Sequence, residues 1–391
     1  MNRMIKLLTL LLAGLMLTAC GAGLSEGGQD VALFAVNVGK GDALILRVDG
    51  YACLIDAGRP YARGKVLSAL KAMDVAALDA VFLTHTDGDH AGGLGWLSES
   101  DIPLGAWYAP AYYTGVKDEK HPAVKAAARR GQSVQWLRRG DSVPLGETGA
   151  ALRVLAPDRL FDDKDNNNSL VMMLETAQGR MLLTGDMELP EEAVLLEQGD
   201  DLSCAVLKAP NHGDDDTVSR AFADAVSAKL AVISTDSDEK PETPDPGVVS
   251  RLTAAGAACR VTQEAGLGLR VTLSGGQPDV TAVDIDAPRA AGIAIRSVVP
   301  GDDLITLRND GADCDMTGWY LYSDRGNELY AFPAGYVLPA GATVTVGTNS
   351  SDDGDYDLLW DDKKVVHKSK RDDVALYDGW GRIVDVMSNG F

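Results

Sequence analysis

Two histidines and two aspartates fall within six residues of the run Thr84-His85-Thr86-Asp87-Gly88-Asp89-His90-Ala91-Gly92-Gly93. The run directly follows an apolar stretch, Ala80-Val81-Phe82-Leu83, that reads as a strand. A turn at a strand end can aim several side chains at one point. Imidazole and carboxylate gathered there are ligands for first-row metal ions. The chain holds only five histidines in 391 residues, so a pair at this spacing is informative. The plainer alternative is a polar turn with a helix-capping Asp.

A dinuclear site needs more ligands than one turn supplies, and two later strand ends offer them. Met181-Leu182-Leu183-Thr184-Gly185-Asp186 places an Asp beyond an apolar strand, where it could bridge two ions. Ala205-Val206-Leu207-Lys208-Ala209-Pro210-Asn211-His212-Gly213 places a His beyond another. Every candidate ligand therefore follows the carboxyl end of a strand, where sites gather in layered α/β folds.

The elements that must carry these turns are strands in runs with helices interleaved. Strands are expected at 32–38, 43–48, 51–55, 152–155, 170–175, 180–183, 205–207, 230–233 and 267–273. Helical spacing is found around Val66, Leu70 and Met73, over 190–197, and over 217–226, where Val218, Phe222 and Val226 share a face. This pattern predicts α/β layers with sheets covered on their outer faces. Ser274-Gly275-Gly276-Gln277-Pro278 reads as a boundary, and from Ile293 the chain is nearly all short strands, as in a small β-sandwich. The expected organisation is a signal segment over 1–20, a tether over 21–30, a catalytic domain over 31–275, a linker over 276–290 and a β-sandwich over 291–391.

Bulk properties narrow the function. The composition is 46% hydrophobic and 24% charged, ordinary for globular protein. A formal charge of −21 argues against a general nucleic-acid coat. Local patches can still act, since charges beyond about 8 Å are largely screened at physiological salt. Arg3 and Lys6 precede an apolar stretch, Leu7 to Leu17, that is too short to span a bilayer. It ends in Leu17-Thr18-Ala19-Cys20-Gly21, which resembles a bacterial lipobox, with Cys20 as the lipidated residue; a plain secretory signal is the alternative. Cys53, Cys204, Cys259 and Cys314 show no C-x-x-C spacing and read as small apolar residues, with one or two disulfides as the alternative.

The order H-x-D-x-D-H, then T-G-D, then His-Gly after a strand resembles the metallo-β-lactamase superfamily, and within it the hydrolase domain of the competence DNA-uptake (ComEC) type. Val38-Gly39-Lys40-Gly41-Asp42-Ala43, Leu54-Ile55-Asp56-Ala57-Gly58 and Asn166-Asn167-Asn168-Ser169-Leu170-Val171 are similar to further motifs of that group. The resemblance implies an αββα sandwich with two divalent metal ions, Mn²⁺ or Zn²⁺. It assigns His85, Asp87 and Asp186 to one ion, and Asp89, His90, Asp186 and His212 to the other. Asp42, Asp56, Asn166 and Ser169 would orient these ligands. Relatives with zinc carry His where this chain has Asp87, and the family's usual extra His is absent, with His121 the only substitute available. Exchanging imidazole for carboxylate tilts preference toward harder ions such as Mn²⁺. A metal pair about 3.5–4 Å apart can stabilise in-line displacement at phosphorus, with Asp89 as the candidate catalytic residue that orients the nucleophile or takes its proton.

A basic segment with Lys117, Lys120, Lys125, Arg129, Arg130, Arg138 and Arg139 lies beside Tyr112, Tyr113 and Trp136. It could follow a polyanion or be a solvated face. Arg129 and Arg130, with Lys208 and Asn211, are the candidate substrate-binding residues. Lys363, Lys364, Lys368, Lys370 and Arg371 form a weaker patch flanked by acids, and Asp353, Asp355 and Asp357 read as an acidic turn rather than a Ca²⁺ loop.

The final hundred residues resemble the lamin-tail domain, an immunoglobulin-like sandwich, through Leu304-Ile305-Thr306-Leu307-Arg308-Asn309-Asp310-Gly311, Met316-Thr317-Gly318-Trp319-Tyr320-Leu321 and Leu338-Pro339-Ala340-Gly341. The sequence leaves that domain's partner open. The expected protein is a metal-dependent hydrolase of a phosphodiester, with DNA as the candidate substrate. It is expected on the outer face of the bacterial cytoplasmic membrane through an N-terminal lipid anchor, or secreted. The alternatives are a hydrolase of another envelope ester, such as phosphocholine or teichoic-acid ester, and a catalytically lapsed surface-binding protein.

Overall fold

The computed structural model describes residues 29–161, 164–286, 292–326, 328–351, 354–362 and 364–391. Cys20, the signal segment, most of the tether, Asp353 and Lys363 lie outside the described residues. Two large sheets face one another. The first has eight strands in the order Gln277–Val283, Gly268–Ser274, Val31–Val36, Leu44–Val48, Tyr51–Ile55, Leu78–Phe82, Leu104–Pro110 and Val134–Leu137. The second has seven, in the order Ala258–Val261, Leu230–Ile233, Val206–Lys208, Gly179–Leu183, Val171–Thr176, Ala151–Ala156 and Ser142–Pro144. Leu33, Leu46, Ile55 and Phe82 of the first sheet and Met172, Leu183, Val206 and Val232 of the second share one core cluster. Both faces of the central strands, Val31–Val36, Val206–Lys208 and Leu230–Ile233 among them, are buried, so these read as apolar runs rather than alternating ones.

Helices cover the outer faces. Arg63–Ala72, Leu94–Glu99 and Pro122–Arg129 pack through Val66, Leu70, Leu97 and Ala126 on Phe34, Leu54 and Trp107 of the first sheet. Leu189–Glu197, Arg220–Val226 and Pro246–Ala254 pack through Leu195, Phe222 and Leu252 on Met173, Leu182 and Leu207 of the second. The result is an αββα sandwich. Tyr51–Ile55, Leu78–Phe82 and Leu104–Pro110 pair in parallel, as do Gly179–Leu183, Val206–Lys208 and Leu230–Ile233. Their carboxyl ends therefore open together at one edge of the sandwich, and the ligand-bearing turns leave from there.

A small all-β domain follows. It holds a four-stranded sheet of Ile293–Val299, Leu304–Asn309, Thr343–Thr348 and Leu358–Trp360. A second sheet is formed by Glu328–Ala331, Tyr320–Ser323, Asp373–Tyr377 and Ile383–Ser388. Ile305, Leu307, Trp319, Leu321, Val344 and Leu376 belong to the core between them.

Three local expectations are corrected. Residues 277–283, expected as linker, are a strand that pairs in register with Gly268–Ser274. The Gly275-Gly276 signal is a hairpin turn, with both glycines at positive φ of 54° and 73°, the geometry two-residue hairpins favour. The helix expected from Thr217 starts at Arg220, because Val218 sits at φ 53° and the Ser219 side chain caps the Phe222 amide at 3.1 Å. The four described cysteines are all free, which rules out the disulfide alternative among them.

Candidate metal centre

Three imidazoles and one carboxylate meet at the open edge. His85 comes from the turn after Leu78–Phe82 and His90 from the short helix Gly88–Ala91 that follows it, Asp186 from the turn after Gly179–Leu183, and His212 from the turn after Val206–Lys208. All three rings are fully buried and Asp186 is 2% exposed. The Asp186 Oδ2 lies 3.0 Å from His212 Nε2, 3.2 Å from His90 Nε2 and 3.8 Å from His85 Nε2. The Nε2 atoms of His90 and His212 are 3.3 Å apart. Ligand atoms held tetrahedrally about 2.0–2.1 Å from one ion would stand roughly 3.3 Å apart. Asp89 closes the group, its Oδ2 3.7 Å from His212 Nε2.

The other ring nitrogen of each histidine is fixed. His90 Nδ1 donates to Asp56 Oδ2 at 2.8 Å, and His212 Nδ1 donates to the Ser234 carbonyl at 2.8 Å. His85 Nδ1 donates to Thr84 Oγ1 at 3.1 Å, and that hydroxyl donates onward to Asp56 Oδ2 at 2.7 Å. In the neutral rings, all three Nε2 lone pairs therefore point at the same place. Ligand histidines are oriented this way by their outer partners. His85 Nε2 and Asp186 Oδ1 are buried with no hydrogen-bond partner among the described residues. Leaving such atoms unpaired costs about 1–3 kcal/mol each, and a cation held there would satisfy both.

Backbone geometry serves the same end. The turn Thr184-Gly185-Asp186 needs glycine: Gly185 has φ 52°, and a Cβ there would lie 3.0 Å from both Ser169 Cβ and Thr84 Cβ. The Asp186 amide donates to Ser169 Oγ at 3.0 Å, which pins this candidate ligand's main chain. Asn211 and His212 both occupy the left-handed region, at φ 40° and 55°. Non-glycine residues adopt that conformation at a cost of order 1–3 kcal/mol, which neighbours must over-determine.

Electrostatics follow from burial against converging charge. Desolvation opposes the imidazolium of His90, but Asp186 and Asp56 outweigh it and hold its pKa well above the usual histidine range. Burial together with the neighbouring His90 pushes His85 down. Burial favours the neutral form of Asp186, yet His212 and His90 hold its carboxyl well below the usual range. Asp89 is likewise held low, against burial, by His90, His212 and Lys40.

The remaining sequence-predicted residues take varied places. Asp87 stands at the rim, its side chain 52% exposed and 3.9 Å from His85 Nε2. Asp42 is buried, with Oδ2 2.9 Å from Lys208 Nζ and Oδ1 3.9 Å from His212 Nδ1. Asn166 donates to Glu188 Oε1 rather than to any ligand residue. Lys208 is corrected as a substrate-binding candidate: it is fully buried, paired with Asp42, and donates to the Ala209 carbonyl. Asn211 donates to Asp216 at 3.2 Å. Arg130 is spent on the Leu97, Ser100 and Ile102 carbonyls and Arg129 pairs with Glu99 at 3.6 Å, so both are bound to the end of the Leu94–Glu99 helix. His121 lies among Tyr113 and Trp136 rather than with the other histidines.

Sequence reasoning gave no role to Lys40, whose Nζ reaches Asp89 Oδ2 at 3.2 Å, or to Thr84. Their positions beside Asp42 and His85 were the available signal. The Ser234 carbonyl carried none, since any residue type presents one.

A family model described as the metallo-beta-lactamase superfamily matches residues 36–237, and one described as the lamin tail domain matches residues 286–390. The chain is 27% identical over 228 residues to ComE operon protein 3 of Bacillus subtilis (strain 168), covering 54% of this chain and 28% of that protein. It is 28% identical over 232 residues to competence protein ComA of Neisseria gonorrhoeae, covering 58% of this chain and 30% of that protein. It thus spans less than a third of the length of these relatives. Among solved structures, the metallo-beta-lactamase fold protein YhfI from Bacillus subtilis aligns at 12% identity with a TM-score of 0.40. That alignment covers 65% of this chain and 100% of the other.

Proposed function

The chain belongs to the metallo-beta-lactamase superfamily, followed by a lamin tail domain, and from that premise we propose that it is a metal-dependent phosphodiesterase acting on DNA. The observation that carries the reading is the convergence of His85, His90 and His212 Nε2 on Asp186, with His85 Nε2 and Asp186 Oδ1 left without partners. The competence names of its relatives support nucleic acid as the substrate class. His85, Asp87 and Asp186 would hold one divalent ion, Mn²⁺ or Zn²⁺, and Asp89, His90, Asp186 and His212 a second. Such ions supply Lewis-acid stabilisation of a phosphoryl oxygen and an activated water at neutral pH.

The chain's own residues do the rest. Asp89, 13% exposed at its side chain and at the mouth of the cluster, orients the attacking water. Lys40 bonds that carboxylate at 3.2 Å, and in this reading its remaining ammonium donors would meet the substrate's phosphate oxygens. Asp56 and the Ser234 carbonyl fix the imidazoles, so no reorganisation is needed during the reaction. In the same reading the enzyme works on the outer face of the cytoplasmic membrane, tethered through Cys20. Among the described residues no helix is long and apolar enough to cross a membrane.

The test is cleavage of plasmid and single-stranded DNA by protein loaded with Mn²⁺ or Zn²⁺, beside an Asp89→Ala, His90→Ala double variant. Metal-dependent cutting by the wild type and a loss of at least about 10³-fold in the variant is the expected outcome. Two ions bound without cutting of either DNA would sink the nuclease reading and bring the envelope-ester hydrolase forward. Absence of both metal and cutting would leave a binding protein.

A further inference from the structure

The candidate ligands are divided between the two layers of the sandwich. His85, Asp87, Asp89 and His90 come after Leu78–Phe82 of the eight-stranded sheet, whereas Asp186 and His212 come after strands of the seven-stranded one. A metal centre shared in this way depends on how the layers are held, since ligand distances are set to within about 0.2 Å. Beside His85 the layers are joined through main chain, the Leu170 amide donating to the Thr84 carbonyl at 3.0 Å. Behind His212 they are joined by a side-chain pair. Lys208 Nζ lies 2.9 Å from Asp42 Oδ2, with both side chains buried.

Each partner of that pair is fastened to ligand-bearing backbone in its own layer. The Asp42 amide donates to the Asp89 carbonyl at 3.1 Å, and the Asp42 carbonyl accepts from the Gly58 amide at 2.8 Å. The adjoining Ala57 amide donates to the His90 carbonyl at 2.8 Å. Gly41 permits this approach, since a Cβ there would lie 2.6 Å from the Asp89 carbonyl oxygen. In the other layer, the Lys208 carbonyl accepts from Thr184 Oγ1 at 2.6 Å, in the turn that carries Asp186. The Asn211 amide, beside His212, donates to the Gly185 carbonyl of that turn at 3.2 Å. Asp42 Oδ1 faces His212 Nδ1 at 3.9 Å and has no hydrogen-bond partner among the described residues. A buried ion pair adds little net stability, because desolvating two charges offsets most of their attraction. The fold alone is thus a weak reason for charge at this place, and the location of the pair is a better one.

We propose that Lys208 and Asp42 are positioning residues for the metal centre. Their bond fixes the Asp89-His90 segment against the Asp186 turn and His212, so that the ligands of the two layers meet at a preset spacing. Both residues act through the main chains they hold. The pair rests on the metal-centre reading and is independent of the substrate.

The experiment follows metal affinity and stability separately, by Zn²⁺ competition with a chromophoric chelator and by urea unfolding of the EDTA-treated protein. Neither readout depends on DNA being cut. Asp42→Leu or Lys208→Met alone leaves one buried charge unpaired and should lower the urea midpoint. The Asp42→Leu, Lys208→Met double variant removes both charges and should return the midpoint toward the wild-type value. Its Zn²⁺ affinity should nevertheless stay about 10–100-fold below wild type, the range lost when outer partners of ligand residues are removed. A pair that only holds the fold would regain affinity together with stability, and that result overturns the proposal. Asp42→Asn serves where the double variant does not fold. It keeps the size of the side chain and an acceptor for Lys208, but turns an amide N–H toward His212 Nδ1, which already donates to Ser234. A loss of about tenfold in Zn²⁺ affinity is expected, and an affinity within twofold of wild type overturns the pair. Wild type that binds no Zn²⁺ sinks the metal-centre reading itself. Wild-type binding that none of these substitutions weakens sinks the pair alone.

Discussion

Four histidines of this chain are buried to zero exposure, and they sit in two unlike settings. His85, His90 and His212 face one carboxylate, and each has its rear nitrogen fixed by an oxygen. His121 lies between Tyr113 and Trp136, with ring centroids at 4.6 and 5.1 Å, and neither of its nitrogens has a partner among the described residues. Burial alone therefore does not make a ligand. What separates the two settings is convergent negative charge together with an orienting acceptor. The first makes Nε2 a donor to a cation; the second leaves an imidazole that packs as a ring.

The largest expected effect breaks the comparison on the His121 side. Burial pushes its pKa down to about 4, with Asp165 and Asp118 opposing that shift. The unfolded chain binds this proton near pH 6.5, whereas the folded chain refuses it until about pH 4. Between those values the unfolded state carries more protons, so stability is full above the unfolded pKa and falls as pH falls. The loss reaches about 2 kcal/mol at pH 5 and about 3 kcal/mol below pH 4. Urea unfolding of EDTA-treated wild type and His121→Phe at pH 7.5 and 5 isolates this contribution as the difference between the two proteins. Parallel pH responses would mean that His121 is protonated in the fold and that the aromatic setting is not what it is taken to be.

A second test works on the other side. Asp56→Asn keeps the shape beside His90 but removes the charge that orients the ring. Outer partners of ligand histidines are worth about 10–100-fold in metal affinity, and a loss in that range is expected from competition with a chromophoric chelator. An affinity within twofold of wild type would mean that the Nε2 convergence stands without its carboxylate support.

Much of this contrast was legible in the sequence because the ligands are local to strand ends. His85 and Asp87 lie in one turn and Asp89 and His90 in the short helix directly after it, and Asp186 and His212 each follow an apolar strand closely. What was not legible depends on long-range packing. Lys208 looks like any lysine near a motif until the fold buries it against Asp42, 166 positions away in the chain. Tyr61 and Tyr377 carry no shared pattern, and their stacking follows only from docking one domain on the other. The strand Leu104–Pro110 has an irregular burial pattern, with Leu104, Gly105 and Ala106 only partly covered, so neither strand period stands out. The Gly275-Gly276 turn gave a true local signal that has two structural meanings, hairpin and boundary. Only the pairing of Gln277–Val283 with its neighbour decides between them.

The smallest expected effect sharpens where the orienting influence ends. Ser169 touches the metal centre at one remove, through the main-chain amide of Asp186 rather than its carboxylate. Ser169→Ala leaves that buried N–H without its acceptor, which costs about 1–2 kcal/mol of stability. The Asp186 side chain keeps its contacts with His90 and His212, and Gly185 still confines the turn. Metal affinity should therefore fall by less than about threefold, well short of the loss for a partner bonded directly to a ligand ring. Parallel measurement of unfolding and metal competition separates the two effects. If Ser169→Ala weakened metal binding as much as Asp56→Asn, the position of the ligand's backbone would matter as much as the charge behind the imidazole. The distinction between the two histidine settings would then have to be redrawn around main-chain geometry.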